Sequence, residues 1–171
     1  RANTNLRFYD VQPVGLAKSL EDELRGQLEG FCSACEQITF ADNGRVLACN
    51  GPSYFVPPES GLFVGEYRPD FNIAELLQKH RDDPILQTIR IDGPARLRDI
   101  LLSLPGFENH PLQKNYSGMC ELCVDLNRDG QAVEALRAYL SRPEVAAERL
   151  ARGLVLESAR SETFHRDAVN A

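Results

Sequence analysis

The sequence predicts an α+β fold in which a small, cysteine-bearing β-hairpin domain is surrounded by helices. An Asn43-Gly44 pair between two short segments of strand-forming residues predicts the hairpin. Apolar residues at helical spacing, within segments bounded by capping residues, proline or glycine, predict the helices. An N-terminal strand and helix and a C-terminal helical pair complete the expected architecture.

Two strands and one helix are expected before residue 41. Residues 6–14 alternate and end at Pro13 and Gly15, which predicts a strand, and residues 19–28 predict a helix that Gly30 stops. Residues 37–40 and 45–48 form the expected hairpin. Residues 50–69 are rich in glycine and proline and predict a loop with one short strand at residues 62–64.

Helices dominate the remainder of the sequence. Asn72 is expected to cap a helix over residues 73–80, Asp83-Pro84 to start one that reaches residue 89, and Gly93-Pro94 to open one over residues 95–104. A further helix is expected to begin near Cys120. Residues 131–141 and 143–160 predict the C-terminal pair, with a frayed tail from residue 161.

Composition limits the classes of partner. The net charge is −6 and the pI is near 5.1, which argues against a nucleic-acid binder, since phosphate contacts require an excess of lysine and arginine. No apolar run approaches the roughly 20 residues that cross a bilayer. We therefore expect a cytoplasmic protein with neither a nucleic-acid nor a membrane partner.

Cysteine spacing carries most of the chemical information. The chain has five cysteines in three groups: Cys32 with Cys35, Cys49 alone, and Cys120 with Cys123. A hairpin closed at Asn43-Gly44 brings Cys35 and Cys49 together, because they flank its open ends. Paired cysteines in a cytosolic chain are typical of metal or redox sites, and thiolates suit both zinc and iron–sulfur clusters. All five are candidate ligands, and Cys32 or Cys35 is the spare one if the site takes four.

Three alternatives remain beside an iron–sulfur cluster. The first is a structural zinc-binding interaction module that uses Cys49, Cys120, Cys123 and either Cys32 or Cys35. The second is a redox-active dithiol at Cys32 and Cys35. The third is that the buried cysteines bear no chemistry, with the C-terminal helices binding a partner. The 70 residues between Cys49 and Cys120 disfavour a simple zinc ribbon, whose knuckles lie about 15–20 residues apart.

The order of the cysteines resembles a known family. Cys32, eleven residues, Gly44, four residues, Cys49, a long gap and Cys120-x-x-Cys123 resemble the auxiliary-cluster motif of radical S-adenosylmethionine enzymes, in the domains called SPASM and twitch. The similarity covers residues 31–125. Residues 6–19 resemble the last strand of the barrel that commonly precedes this domain. Since no cysteine follows Cys123, the chain is more similar to the one-cluster, twitch-like version.

The resemblance implies a function and a division of the chain. Residues 1–30 would be the end of a barrel-like domain, residues 31–125 the auxiliary domain with a [4Fe–4S] cluster, and residues 126–171 a helical extension. The cluster would relay electrons or help to place a substrate during modification of a peptide, a protein or a small molecule. The Cys-x3-Cys-x-x-Cys motif that binds the catalytic cluster and S-adenosylmethionine is missing, so the partner would be a radical S-adenosylmethionine barrel in the same or another chain. No catalytic residue is assigned.

Two weaker patterns lie near the second cysteine pair. His110 precedes it, and we interpret it as a surface-loop histidine rather than a ligand. Asp125, Asn127 and Asp129 alternate before Gly130, as in the first half of a calcium loop, but Leu136 stands where the loop's glutamate is expected. We therefore interpret this segment as a helix-capping turn.

Overall fold

Six α-helices and one three-stranded antiparallel sheet make up residues 28–169, the part of the chain that the computed structural model describes. This arrangement confirms the predicted α+β class, with a small hairpin region among helices. The predicted strand over residues 6–14 and nearly all of the predicted helix over residues 19–28 lie outside the described part.

The sheet is built from the predicted hairpin and one added strand. Strand β1 (Thr39–Phe40) pairs with β2 (Arg45–Leu47), and β2 pairs with β3 (Phe63–Glu66), so the order is β1-β2-β3. Gly44 closes the hairpin with a φ of 81°, a left-handed conformation that glycine adopts without a Cβ clash. The ladder is irregular between Val46 and Leu47.

The helices follow in chain order and begin at the expected capping residues. Asn72 accepts hydrogen bonds from two backbone N–H groups at the start of the first helix, and Asp83 does the same for the second. Proline occupies the first position of the second, third and sixth helices. Their bounds are α1 (Ile73–Asp82), α2 (Pro84–Ile91), α3 (Pro94–Ser103), α4 (Met119–Leu126), α5 (Gly130–Leu140) and α6 (Pro143–Val169).

One apolar core joins the sheet to the helices. Helix α2 lies at its centre, with Ile85 and Ile89 fully buried, and α3, α5 and α6 pack against α2. The same cluster of buried side chains includes Val46 of the sheet, Leu122 of α4 and Leu136 of α5. Arg137 of α5 forms an ion pair at 2.9 Å with Asp83, the residue that caps α2. The cysteine-bearing segments therefore rest on a helical scaffold with its own apolar packing.

Several local features differ from the sequence-based expectation. Short 3-10 turns occupy Ser33–Glu36, for which no element was predicted, and Pro52–Phe55, where a loop was expected. Helix α6 continues to Val169, so the expectation of a frayed tail from residue 161 is wrong; residues 161–169 contain no glycine or proline that would end a helix. None of the helices within residues 28–169 combines the length and the apolar composition needed to cross a bilayer.

Candidate metal centre

The first cysteine pair lies on a short 3-10 turn held against α2. Cys32 has extended backbone and caps the turn Ser33–Glu36, and its N–H donates a 3.1 Å hydrogen bond to the carbonyl oxygen of Ile89. Cys35, inside the turn, is buried. A turn of this kind brings the thiols of residues three apart to the same side, because the 3-10 period is three residues.

Cys49 is positioned by the end of the sheet. It follows β2 by two residues, and the preceding Ala48 donates a backbone hydrogen bond to Leu62 at 3.0 Å. The buried Ser53 donates its hydroxyl to the Cys49 carbonyl at 2.9 Å, and its Oγ lies 3.3 Å from Cys49 Sγ. The hydroxyl thus fixes the local turn and contacts the sulfur.

The second cysteine pair lies on α4, with Cys120 in its first turn and Cys123 near its middle. Cys120 and Cys123 are separated by three residues, which places them on one helix face. Glu121 accepts hydrogen bonds from the backbone N–H and the hydroxyl of Ser117, and so stabilises the segment that leads into the helix.

These three segments converge on one cavity. Its walls include all five cysteines, Cys32, Cys35, Cys49, Cys120 and Cys123. Apolar residues supply most of the remaining wall: Leu62, Ile89, Pro94, Met119 and Val124. The space between the side chains is about 30 Å³, close to the volume of one water molecule in the liquid. The predicted meeting of Cys35 with Cys49 is confirmed, and the second pair joins them.

The thiols influence one another electrostatically. The Cys35 thiol donates a hydrogen bond to Cys32, which lowers the pKa of Cys32 to about 6. The same bond, followed by burial, raises the pKa of Cys35 far above its usual range. Burial raises the pKa of Cys123, and the nearby Cys49, Cys32 and Cys120 raise it further. Without a bound cation, the cavity favours one thiolate, at Cys32, and keeps Cys35 and Cys123 protonated.

The thiols are nevertheless not arranged around a single point. Within residues 28–169, no three His, Cys, Asp or Glu side chains are grouped closely enough to hold a metal ion as they stand. The hydrogen bond between Cys32 and Cys35 is one physical reason, because it directs these two sulfurs at each other. The five cysteines therefore line one cavity, but their sulfurs do not have the arrangement that coordinates a metal ion.

Two buried polar side chains contact the backbone beside the cysteines and were not identified from the sequence as part of the site. His80 is buried, and its Nε2 lies 3.3 Å from the carbonyl oxygen of Ala48, immediately before Cys49. Asn127 is fully buried and donates a 2.8 Å hydrogen bond to the carbonyl oxygen of Cys123. His80 belongs to no recognisable motif. The sequence indicates Asn127 only as part of the pattern of Asp125, Asn127 and Asp129, although its place one helical turn after Cys123 could have linked it to the cysteines.

The other candidates lie away from the cavity. His110 is largely enclosed, contrary to the expected surface position, and its Nδ1 lies 3.9 Å from an Asp129 carboxylate oxygen. Asp129 caps α5 through the backbone N–H of Gln131, which confirms the helix-capping interpretation. Asp125 accepts a 2.7 Å hydrogen bond from the Tyr116 hydroxyl.

Comparison of the chain with protein-family models, with curated proteins and with solved structures finds no match.

Proposed function

We propose that the five-cysteine cavity is the site of an iron–sulfur cluster. The observation that supports this most strongly is that thiols from three segments of the chain, as far apart as Cys32 and Cys123, line one cavity. Iron–sulfur clusters are held by cysteine thiolates, and the donor set here is of that type alone. Cys49, Cys120 and Cys123 would each be a ligand, and Cys32 or Cys35 would supply the fourth.

The cysteine thiols are donors of the type that binds an iron–sulfur cluster, but the cavity must rearrange before a cluster can bind. A ligating thiolate has no proton to donate, so the Cys32–Cys35 hydrogen bond must break when either sulfur binds iron. The space of about 30 Å³ must widen as well. The 3-10 turn Ser33–Glu36 is the segment best suited to this movement, because it is short and lies at the edge of the core.

Zinc is the second candidate, and the small cavity is the observation that favours it. One ion needs less room than a four-iron cluster. The supporting elements argue the other way: the cysteines lie on a 3-10 turn, a strand end and a helix, whereas a zinc ribbon presents two similar knuckles. We therefore place zinc second, as a structural ion in an interaction module.

We further propose that the chain is an auxiliary cluster domain of a radical S-adenosylmethionine enzyme in the cytoplasm. The support is the order and spacing of its cysteines, together with the confirmed hairpin between Cys35 and Cys49. When bound, the cluster would supply one-electron transfer or substrate placement. The chain's own residues would hold it, enclose it with apolar side chains and tune its potential through burial and hydrogen bonds to sulfur. A barrel domain would supply the radical chemistry, acting on a peptide, protein or small-molecule substrate.

Anaerobic reconstitution of the full chain tests both parts. Incubation with ferrous iron and sulfide is expected to give brown protein with broad visible absorption, and a parallel incubation with zinc controls for nonspecific thiolate binding. Colourless protein that retains zinc and no iron would favour the interaction module instead. Reduced, S-adenosylmethionine-treated protein is expected to release no 5′-deoxyadenosine, and its release would contradict the auxiliary role.

A further inference from the structure

A second groove, lined in part by Glu36 of the Ser33–Glu36 turn, shares no described lining residue with the cysteine cavity. It has a volume of about 500 Å³, within the usual range of small-molecule sites, and runs between α6 and the α1–α2 pair. Arg90 of α2 and Arg149 of α6 line it. So do the apolar side chains of Ile91, Leu150 and Leu154.

The two arginines are withdrawn from water but form no ion pair with a described residue. Arg149 is only 6% exposed, and Arg90 is half-buried. The ion pairs formed among the described residues include neither of them. Their hydrogen bonds go to neutral oxygens instead: Arg149 donates to Gln87 Oε1 and the Leu140 carbonyl, and Arg90 to backbone carbonyls. Burial lowers the pKa of both guanidinium groups, and it outweighs the opposing effect of the more distant carboxylates, Glu36 and Asp83 for Arg90 and Asp92 and Asp83 for Arg149.

A hydrogen-bond network links the two guanidinium groups. Gln87 accepts from Arg149 Nε at 3.0 Å and donates from Nε2 to the carbonyl oxygen of Arg81 at 2.8 Å. Arg90 Nη2 donates to that same oxygen at 2.9 Å. Arg149 Nη2 makes no hydrogen bond to another described residue, and it is not fully buried. Both arginines therefore line the groove, and Arg149 keeps one guanidinium nitrogen without a described hydrogen-bond partner.

We propose that this groove binds a small organic anion in which one carboxylate is joined to an apolar chain. The carboxylate would pair with the guanidinium groups of Arg90 and Arg149, and the planar fork of arginine matches its two oxygens. Leu150 and Leu154 are 66% and 59% exposed, and the apolar chain would cover them. Glu36, Asp82 and Glu157 also line the groove beside Arg81, Arg90 and Arg149, and their repulsion is smaller for a singly charged carboxylate than for a doubly charged phosphate group. The proposal does not depend on a cluster in the cysteine cavity.

Calorimetric titration of the full chain with octanoate tests this proposal against two matched probes. Octanamide has the same chain without the charge, and acetate has the charge without the chain. We expect saturable octanoate binding at least about tenfold tighter than either, because both halves contribute. Octanoate that fails to bind, or binds no tighter than octanamide, would overturn the proposal.

Substitutions at the groove sharpen the test. Arg90→Gln and Leu154→Ser are each expected to weaken octanoate binding by at least about fivefold. Val155→Ser is the matched control, since Val155 is 71% exposed on the same helix and does not line the groove. Arg128→Gln controls for the loss of one positive charge at an exposed site elsewhere. Equal affinities for octanoate in Leu154→Ser, Val155→Ser and the unsubstituted chain would place the binding elsewhere and refute the proposal.

Discussion

Asn127 donates a hydrogen bond from its side-chain amide to the carbonyl oxygen of Cys123 at 2.8 Å, across one turn of α4. Its Nδ2 also lies 3.9 Å from Cys123 Sγ. Its Oδ1 is buried and has no hydrogen-bond partner within residues 28–169. An unsatisfied buried oxygen normally costs about 1–3 kcal/mol, so the packing around Asn127 must offset a penalty of that order.

Gly61 should be intolerant of even a methyl group because of this arrangement. A Cβ at Gly61 would overlap Asn127 Oδ1, and the amide cannot turn away without breaking its bond to Cys123. We expect Gly61→Ala to lower the free energy of unfolding by about 1–3 kcal/mol. Adding Asn127→Ser should recover part of that loss, since it removes the overlapped atom. Urea denaturation of the four proteins in a double-mutant cycle measures the coupling, and strictly additive effects would contradict this contact.

His80 should make the metal-free protein less stable in mild acid. Burial lowers its pKa below the unfolded value of about 6.5, so the unfolded chain binds more protons in the window between the two values. Stability is therefore full above the unfolded pKa and falls as pH drops below it, by at most about 1.4 kcal/mol per pH unit.

The comparison variant for this test is His80→Gln, which keeps an N–H donor for Ala48 but does not titrate. Denaturation midpoints measured between pH 7.5 and 5.5 should fall more steeply for the natural chain than for the variant. Parallel pH profiles would show that His80 is not the source of the acid sensitivity.

Metal binding should depend more strongly on some of the five cysteines than on others. Cys49→Ser, Cys120→Ser and Cys123→Ser are each expected to lose most of the bound metal. Cys49 is the single cysteine of its segment, and the site needs both Cys120 and Cys123. Cys32→Ser and Cys35→Ser should each retain much of it, because one can replace the other. Metal analysis after gel filtration measures this, and Ser53→Ala serves as a control that alters the cavity wall without removing a thiol.

Metal removal should loosen the cysteine segments before the helical scaffold. Binding would close the 70-residue segment between Cys49 and Cys120, which removes unfolded-state entropy on the order of 4 kcal/mol. Helix α5 packs against α2 and α3 through residues such as Leu136 and should stay formed without metal. Hydrogen exchange should therefore show lost protection at residues 31–49 and 118–124 on chelation. Unchanged protection there would mean that the metal is peripheral to folding.

Local chemistry explains which parts of the fold could be predicted from the sequence. Asn43-Gly44 predicts the hairpin, and Asn72 and Asp83 predict two helix starts, because each acts on residues within a few positions. The pairing of β3 with β2 and the burial of His80 depend on contacts between distant segments, so no local pattern indicates them. The 3-10 turn at Ser33–Glu36 is too short to leave a periodic pattern.

The candidate site likewise has a part that local sequence patterns predict and a part that depends on tertiary packing. Cys-x-x-Cys spacing and the hairpin together predict that the cysteines converge, and the shared cavity confirms this. The spacing of Asn127 from Cys123 is compatible with their local hydrogen bond, but the burial of Asn127 and the close approach of Gly61 depend on tertiary packing and could not be predicted. The burial of Arg149 could not be predicted either, since only tertiary packing removes it from water.

The most direct test of the central claim is the ratio of iron and acid-labile sulfide to protein in the anaerobically reconstituted full chain. A cysteine-ligated [4Fe–4S] cluster predicts about four irons and about four sulfides per chain. Both should fall to near zero in the Cys49→Ser, Cys123→Ser double variant. Zinc bound at about one ion per chain without sulfide, or iron retained unchanged by the double variant, would contradict the claim.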